Sequence, residues 1–102
     1  MNHWRTLVPI AAAVLAGGTQ AQDALLGRNL AATCANCHGT NGYARARMKP
    51  LAGMPAGDLV AAMADFRSGA ARSMVMGQIA KGYSDEQIRL IAAYFAAQPA
   101  RK

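Results

Sequence analysis

The sequence predicts an all-α domain: three main helices, joined by loops and closed around something the chain itself lacks. Three observations carry this expectation. Apolar residues recur at helical spacing in three segments, separated by glycine- and proline-marked stretches. The hydrophobic content of 53% is inflated by alanine, which supplies 24 of the 102 residues and buries little area. Two cysteines and a histidine, Cys34, Cys37 and His38, follow directly on the first helical segment.

Length and composition exclude several classes. At 102 residues the chain is one small domain, too short for an enzyme with its own dinucleotide-binding βαβ fold. A charged fraction of 16% is too low for a solvated disordered chain, and two cysteines are too few for a disulfide-dense scaffold. The formal net charge of +6 does not point to nucleic acid, because the basic residues are dispersed.

Residues 1–21 read as a cleavable signal peptide. His3 and Arg5 precede an apolar run from Leu7 to Leu15, then come Gly17, Gly18 and Thr19-Gln20-Ala21, with small residues at −3 and −1. The run is well short of the roughly 20 residues that span a bilayer, so stable membrane insertion is not expected. Residues 22–102 then form the mature domain, in which ten Lys and Arg face five Asp and Glu. Its core is thin for its length, and chains of this size usually need a disulfide, a metal or another prosthetic group.

The first helix is expected over Asp23 to Thr33. Leu25, Leu26 and Leu30 are its apolar residues, and Gly27 and Ala31 make a small-residue strip that lets another helix approach. A second helix, Ala56 to Ser68, spaces Leu59, Val60, Met63 and Phe66 along one side, with Gly69 as its stop. The third has the clearest start: Ser84 with Gln87 makes a capping box, and Asp85 and Glu86 suit the positive end of the helix dipole. Ile88, Ile91 and Phe95 form its stripe, Leu90 and Tyr94 widen it, and Pro99 follows its end. Gly39 to Gly57 and Gly69 to Tyr83 are expected as loops.

The run Cys34-Ala35-Asn36-Cys37-His38 has the spacing of a c-type haem attachment site. On a helical turn both thiols face one side and can form thioethers to the two vinyl groups of one porphyrin, while His38 becomes the proximal iron ligand. A disulfide between the two cysteines would close a tiny loop and staple little. A thioredoxin-like pair expects a preceding strand, and Leu25 to Thr33 has no strand alternation. Zinc needs four ligands, and the mature chain offers Cys34, Cys37 and His38.

Haem iron also takes a sixth ligand or leaves that position open. His3 leaves with the signal peptide, so methionine is the candidate; a thioether raises the potential toward electron transfer. Met63 sits on the apolar stripe of the second helix and reads as core, and Met48 and Met54 as residues near the haem edge. Met74 and Met76 lie in the stretch before the last helix. As an extended segment it turns both to the same side, so spacing does not choose between them.

These residues resemble the class I cytochrome c family, above all the small mono-haem periplasmic type, and are similar to the cytochrome subunit of flavocytochrome c sulfide dehydrogenases. The resemblance runs over nearly all of Asp23 to Gln98 and rests on Cys34 to Gly39, Gly42, Pro50-Leu51-Ala52-Gly53, Met76 to Tyr83, and Ser84 to Ile88 leading into Ala93-Tyr94-Phe95. It implies that Met76, counted back from the Ser84 cap, is the distal ligand beside His38. It implies that Pro50 supplies the carbonyl that accepts a hydrogen bond from the other ring nitrogen of His38. It also implies that the first and last helices cross, with Gly27 against an aromatic, here Tyr94.

Between Gly42 and Pro50 the chain departs from the family pattern with Arg45, Arg47 and Lys49, suited to neutralising haem propionates or docking an acidic partner. The implied function is a periplasmic electron carrier with one covalent haem c and no catalytic residue of its own. Its partners would be redox proteins, among them a flavoprotein subunit or a terminal oxidase. Two alternatives stand beside it: the electron-accepting haem subunit of a flavocytochrome c sulfide dehydrogenase, and a thiol-disulfide oxidoreductase using Cys34 and Cys37.

Overall fold

Helix α1, Ala16–Ala31, tightens at its end into a 3-10 turn, Ala32–Cys34, and passes directly into the one-turn helix α2, Ala35–His38. The computed structural model describes residues 16–101; most of the expected signal peptide, residues 1–15, lies outside them. After a second 3-10 turn, Thr40–Gly42, and a long loop come α3, Ala56–Ser68, α4, Met74–Lys81, and α5, Asp85–Ala96. The described residues contain helices, turns and loops and no strand, as the sequence leads one to expect.

Packing is organised by α5. Ile88, Ile91 and Phe95 are at most 4% exposed, and they meet Ala31 of α1, Leu59 and Met63 of α3 and Ala80 of α4. The expected apolar face of α1 is different. Leu25 and Leu26 are exposed, whereas Gly27 and Ala31 are buried, so the small-residue strip is the contact face. A Cβ placed on Gly27 would lie 2.6 Å from the Leu90 carbonyl oxygen and 3.6 Å from Tyr94 Cβ. Tyr94 does border Gly27, but the closer neighbour is the α5 backbone at Leu90.

Helix α5 begins as its sequence requires. The Gln87 amide donates to Ser84 Oγ at 3.1 Å, and the Ser84 amide donates to Gln87 Oε1 at 2.9 Å. Helix α3 ends at Gly69, whose φ of 89° is left-handed and suits a residue without Cβ. Arg67, in the last turn of α3, holds the start of α5: it donates to the Tyr83 carbonyl at 2.6 Å and pairs with Asp85 at 2.6 Å.

Helix α4 corrects the expectation of a loop over Gly69 to Tyr83. Ser73 caps it, its Oγ accepting from the Met76 amide at 3.1 Å. Eight residues are too few for a helix to hold by itself, Val75 and Gly77 weaken it further, and packing of Ala80 into the core supplies the rest.

Candidate haem-binding site

Cys34 ends the 3-10 turn, and Cys37 and His38 lie on α2, so the three side chains come from one continuous helical stretch. Gly39, at φ 81°, turns the chain out of that helix at once. Both cysteines are free thiols. Cys34 is half-buried against the core and Cys37 is exposed. Burial pushes the Cys34 thiol above its ordinary value, with a hydrogen bond involving Thr33 working against the rise and the nearby Cys37 adding to it. The attacking thiol of a dithiol oxidoreductase is displaced in the other direction, so Cys34 does not suit that role. The strand setting such an enzyme expects is also missing from the described residues.

His38 is half-buried, with Nδ1 2.7 Å from the carbonyl oxygen of Lys49. A carbonyl can only accept, so Nδ1 carries the proton, and in the neutral ring Nε2 is the nitrogen with a lone pair for a metal. Such a bond fixes the ring and raises its basicity as a ligand. The resemblance gives this carbonyl to Pro50, whereas the structure gives it to the residue before. Lys49 and Pro50 share the amide concerned: the proline ring restrains Lys49 toward an extended conformation, and that carbonyl is the one turned to His38. Lys49 is therefore a site residue that the motif alone did not disclose; its signal was its position ahead of a proline.

The helical state of residues 74–81 separates the two methionines that an extended segment would have kept together. Two residues apart on a helix is more than half a turn, so Met74 and Met76 face apart. Met74 is 89% exposed, while Met76 is half-buried and packs against the core. Met63 is buried in that core, Met54 packs against it, and Met48 is exposed. Next to the cysteines, Thr33 Oγ1 donates to the Leu30 carbonyl and lies 2.7 Å from the Tyr83 hydroxyl, which ties the attachment turn to the start of α5. Arg45, Arg47 and Lys49 are all exposed.

The residues present therefore suit a covalently held porphyrin. Two thiols sit at successive turns, an imidazole is held in the tautomer that leaves Nε2 free, and soft thioethers lie on the neighbouring helices. Val60 and Ile79 add exposed apolar surface on α3 and α4. Fold and donor set together define a c-type haem domain.

The chain belongs to the cytochrome c family: the family model for cytochrome c matches residues 24–98. Membership brings covalently attached haem c, with Cys34 and Cys37 in the attachment motif. The chain is 42% identical to the cytochrome subunit of sulfide dehydrogenase from Chlorobaculum tepidum, over 68% of this chain and 63% of that protein. It is 41% identical to the thiosulfate dehydrogenase electron acceptor of Stutzerimonas stutzeri, over 96% of this chain and 49% of that protein. Cytochrome c-554(548) of Halomonas halodenitrificans is 38% identical over 76% of this chain and 99% of its own length. The chain thus spans about half to two thirds of the first two relatives and nearly all of the third.

A solved structure of Acidithiobacillus ferrooxidans cytochrome c4 matches with a TM-score of 0.64, over 84% of this chain and 52% of that one. At 24% identity it speaks for the fold alone, that of a class I cytochrome c. By name these relatives are cytochromes, a cytochrome subunit and an electron acceptor. Among the described residues no helix is long and apolar enough to cross a membrane.

Proposed function

We propose that this chain is a periplasmic mono-haem carrier, with His38 and Met76 as the two axial ligands, passing single electrons between larger redox proteins. The observation that carries the reading is the held tautomer of His38, with Nδ1 bound to the Lys49 carbonyl, in a chain of the cytochrome c family. Bound haem supplies an iron that cycles between ferric and ferrous by one electron. The chain's own residues hold the ring by two thioethers, keep Nε2 of His38 available, and offer the Met76 sulfur from α4. With His38 and Met76 both holding the iron, little would need to reorganise between the two states, which would suit transfer rather than catalysis. Partner choice would fall to the exposed Arg45, Arg47 and Lys49, which complement an acidic surface.

Export fits the geometry of α1. Among the side chains described in α1, those of residues 20–26 are exposed and Gly27 is the first buried position, so Gln20 and Ala21 add nothing to the core. The second reading is a haem subunit that accepts electrons inside a flavoprotein sulfide dehydrogenase; the 42% identity to a cytochrome subunit of sulfide dehydrogenase supports the dehydrogenase part of it.

Optical and redox titration of the protein purified from periplasm tests the first reading. A low-spin spectrum, haem that stays attached on denaturation and a one-electron titration are expected. A colourless protein with a titratable dithiol would overturn it. Co-purification with a flavoprotein in fixed ratio would favour the subunit reading over the free carrier.

A further inference from the structure

The loop from Tyr43 to Gly53 carries the carbonyl that orients His38, yet its middle is poorly tied down. Among the described residues, the stretch 44–50 makes one hydrogen bond beyond itself, the one from His38 to the Lys49 carbonyl. Residues 45–50 are exposed, and Ala46 takes a left-handed φ of 58°. The position of the Lys49 carbonyl therefore depends on the two feet of the loop.

Both feet are held from the C-terminal end of the chain, by different residues: the first by Pro99 and Arg101, the second by Ala100 and by Phe95 of α5. At the first foot, the Tyr43 hydroxyl donates to the Pro99 carbonyl at 2.5 Å, and the Arg101 guanidinium carbon lies 3.9 Å from the centre of the Tyr43 ring. At the second, Gly53 lies against Ala100 so closely that a Cβ on it would come within 2.7 Å of the Ala100 Cβ. The Gly53 amide also donates to the Phe95 carbonyl at 2.9 Å. Between the feet, the Leu51 and Ala52 amides converge on the Gly42 carbonyl at 2.9 and 3.2 Å.

We propose that Pro99–Arg101 is a strap that sets the ligand strength of His38, and that Tyr43 is the positioning residue through which it acts. The proposal rests on the reading of His38 as an axial iron ligand. The sign follows from the hydrogen bond. A firmly held Nδ1–H···O=C bond makes the imidazole a stronger donor and favours ferric iron. Loosening the loop weakens that bond, so the potential rises.

The test uses the full-length holoprotein and three variants. Tyr43→Phe loses the hydroxyl bond and keeps the ring beneath Arg101, Tyr43→Leu loses both, and Arg101→Gln changes one exposed side chain and leaves the loop sequence intact. Each is read by exchange of the His38 Nδ1 proton in the ferrous state and by the reduction potential. Exchange is expected to accelerate in all three, by about tenfold or more in Tyr43→Leu, with Tyr43→Phe intermediate. Potentials should rise in the same order; a tenfold loss of ferric preference corresponds to about 59 mV.

Unchanged exchange and potential in Tyr43→Leu and Arg101→Gln, even with a lower melting temperature, would reduce the strap to a stability element and overturn the proposal. The wild-type spectrum tests the underlying reading separately. If the His38 ring protons lack the large shift imposed by a ligated haem, the axial-ligand reading fails and the strap proposal falls with it.

Discussion

Gly27 of α1 lies directly against the Leu90 carbonyl of α5, with no room between them for a methyl group: a Cβ would sit 2.6 Å from that oxygen. Two effects oppose each other in Gly27→Ala. Alanine is a better helix former by about 0.8–1.0 kcal/mol. Forcing two packed helices apart costs about 1–3 kcal/mol. The obstructing atom is backbone and cannot rotate away, so the cost wins and the variant melts lower, by about 4–8 °C per kcal/mol of net loss. Gly27→Val should be worse. A holoprotein carrying Gly27→Ala that melts at or above the wild-type temperature would mean the helices give way easily.

Arg67 makes two contacts of different worth. Its partner Asp85 is 93% exposed, and a pair of that kind contributes about 0–1 kcal/mol. The bond to the Tyr83 carbonyl is part-buried and charged, the kind worth about 1.5–3 kcal/mol. Tyr83 in turn reaches Thr33, beside the attachment cysteine. Urea denaturation of the holoprotein should therefore show Arg67→Ala clearly destabilised and Asp85→Asn changed by less than about 1 kcal/mol. Equal losses in the two variants would put the weight on the ion pair instead.

Much of this was legible in the sequence because it depends on local chemistry. The Ser84–Gln87 box, the Gly69 stop and the attachment motif each need only a few neighbouring residues. What escaped depends on contacts far apart in the chain. Helix α4 lacks an acidic first turn and has a glycine in its middle, and it forms because Ala80 has a place in the core. The exposure of Leu25 and Leu26 follows from a contact face chosen by steric fit, where small residues displaced large ones. The carbonyl facing His38 belongs to Lys49 and not Pro50 because the path of a loop decides it, and that path is held from beyond α5.

Helix α4 gives the two methionines different fates under substitution. Met76→Ala removes a half-buried side chain packed on the core and, in the proposed ligation, the sulfur on iron. The long-wavelength sulfur-to-iron absorption band should vanish and the potential fall. Met74→Ala changes a side chain that is 89% exposed and should leave spectrum, potential and melting temperature near wild type. Loss of the band in the Met74 variant alone would reverse the assignment and would mean that α4 rotates when haem is bound.

The composition makes the holoprotein's core incomplete without its prosthetic group. Among the described residues nine hydrophobic side chains are buried, and three of them are alanines, Ala31, Ala80 and Ala92. Alanine contributes little buried area, and fixing each backbone residue costs about 1–2 kcal/mol. Met48, Val60 and Ile79 meanwhile stay at least 38% exposed, apolar surface that water penalises. A Cys34→Ala, Cys37→Ala double variant, which cannot form the thioethers, should therefore be expanded and loosely packed. Its signature would be retained far-UV dichroism, weak near-UV dichroism, dye binding to exposed apolar surface and a broad melt. A sharp cooperative melt near that of the holoprotein would show instead that the small side chains make a self-sufficient core, with haem adding function but little of the fold.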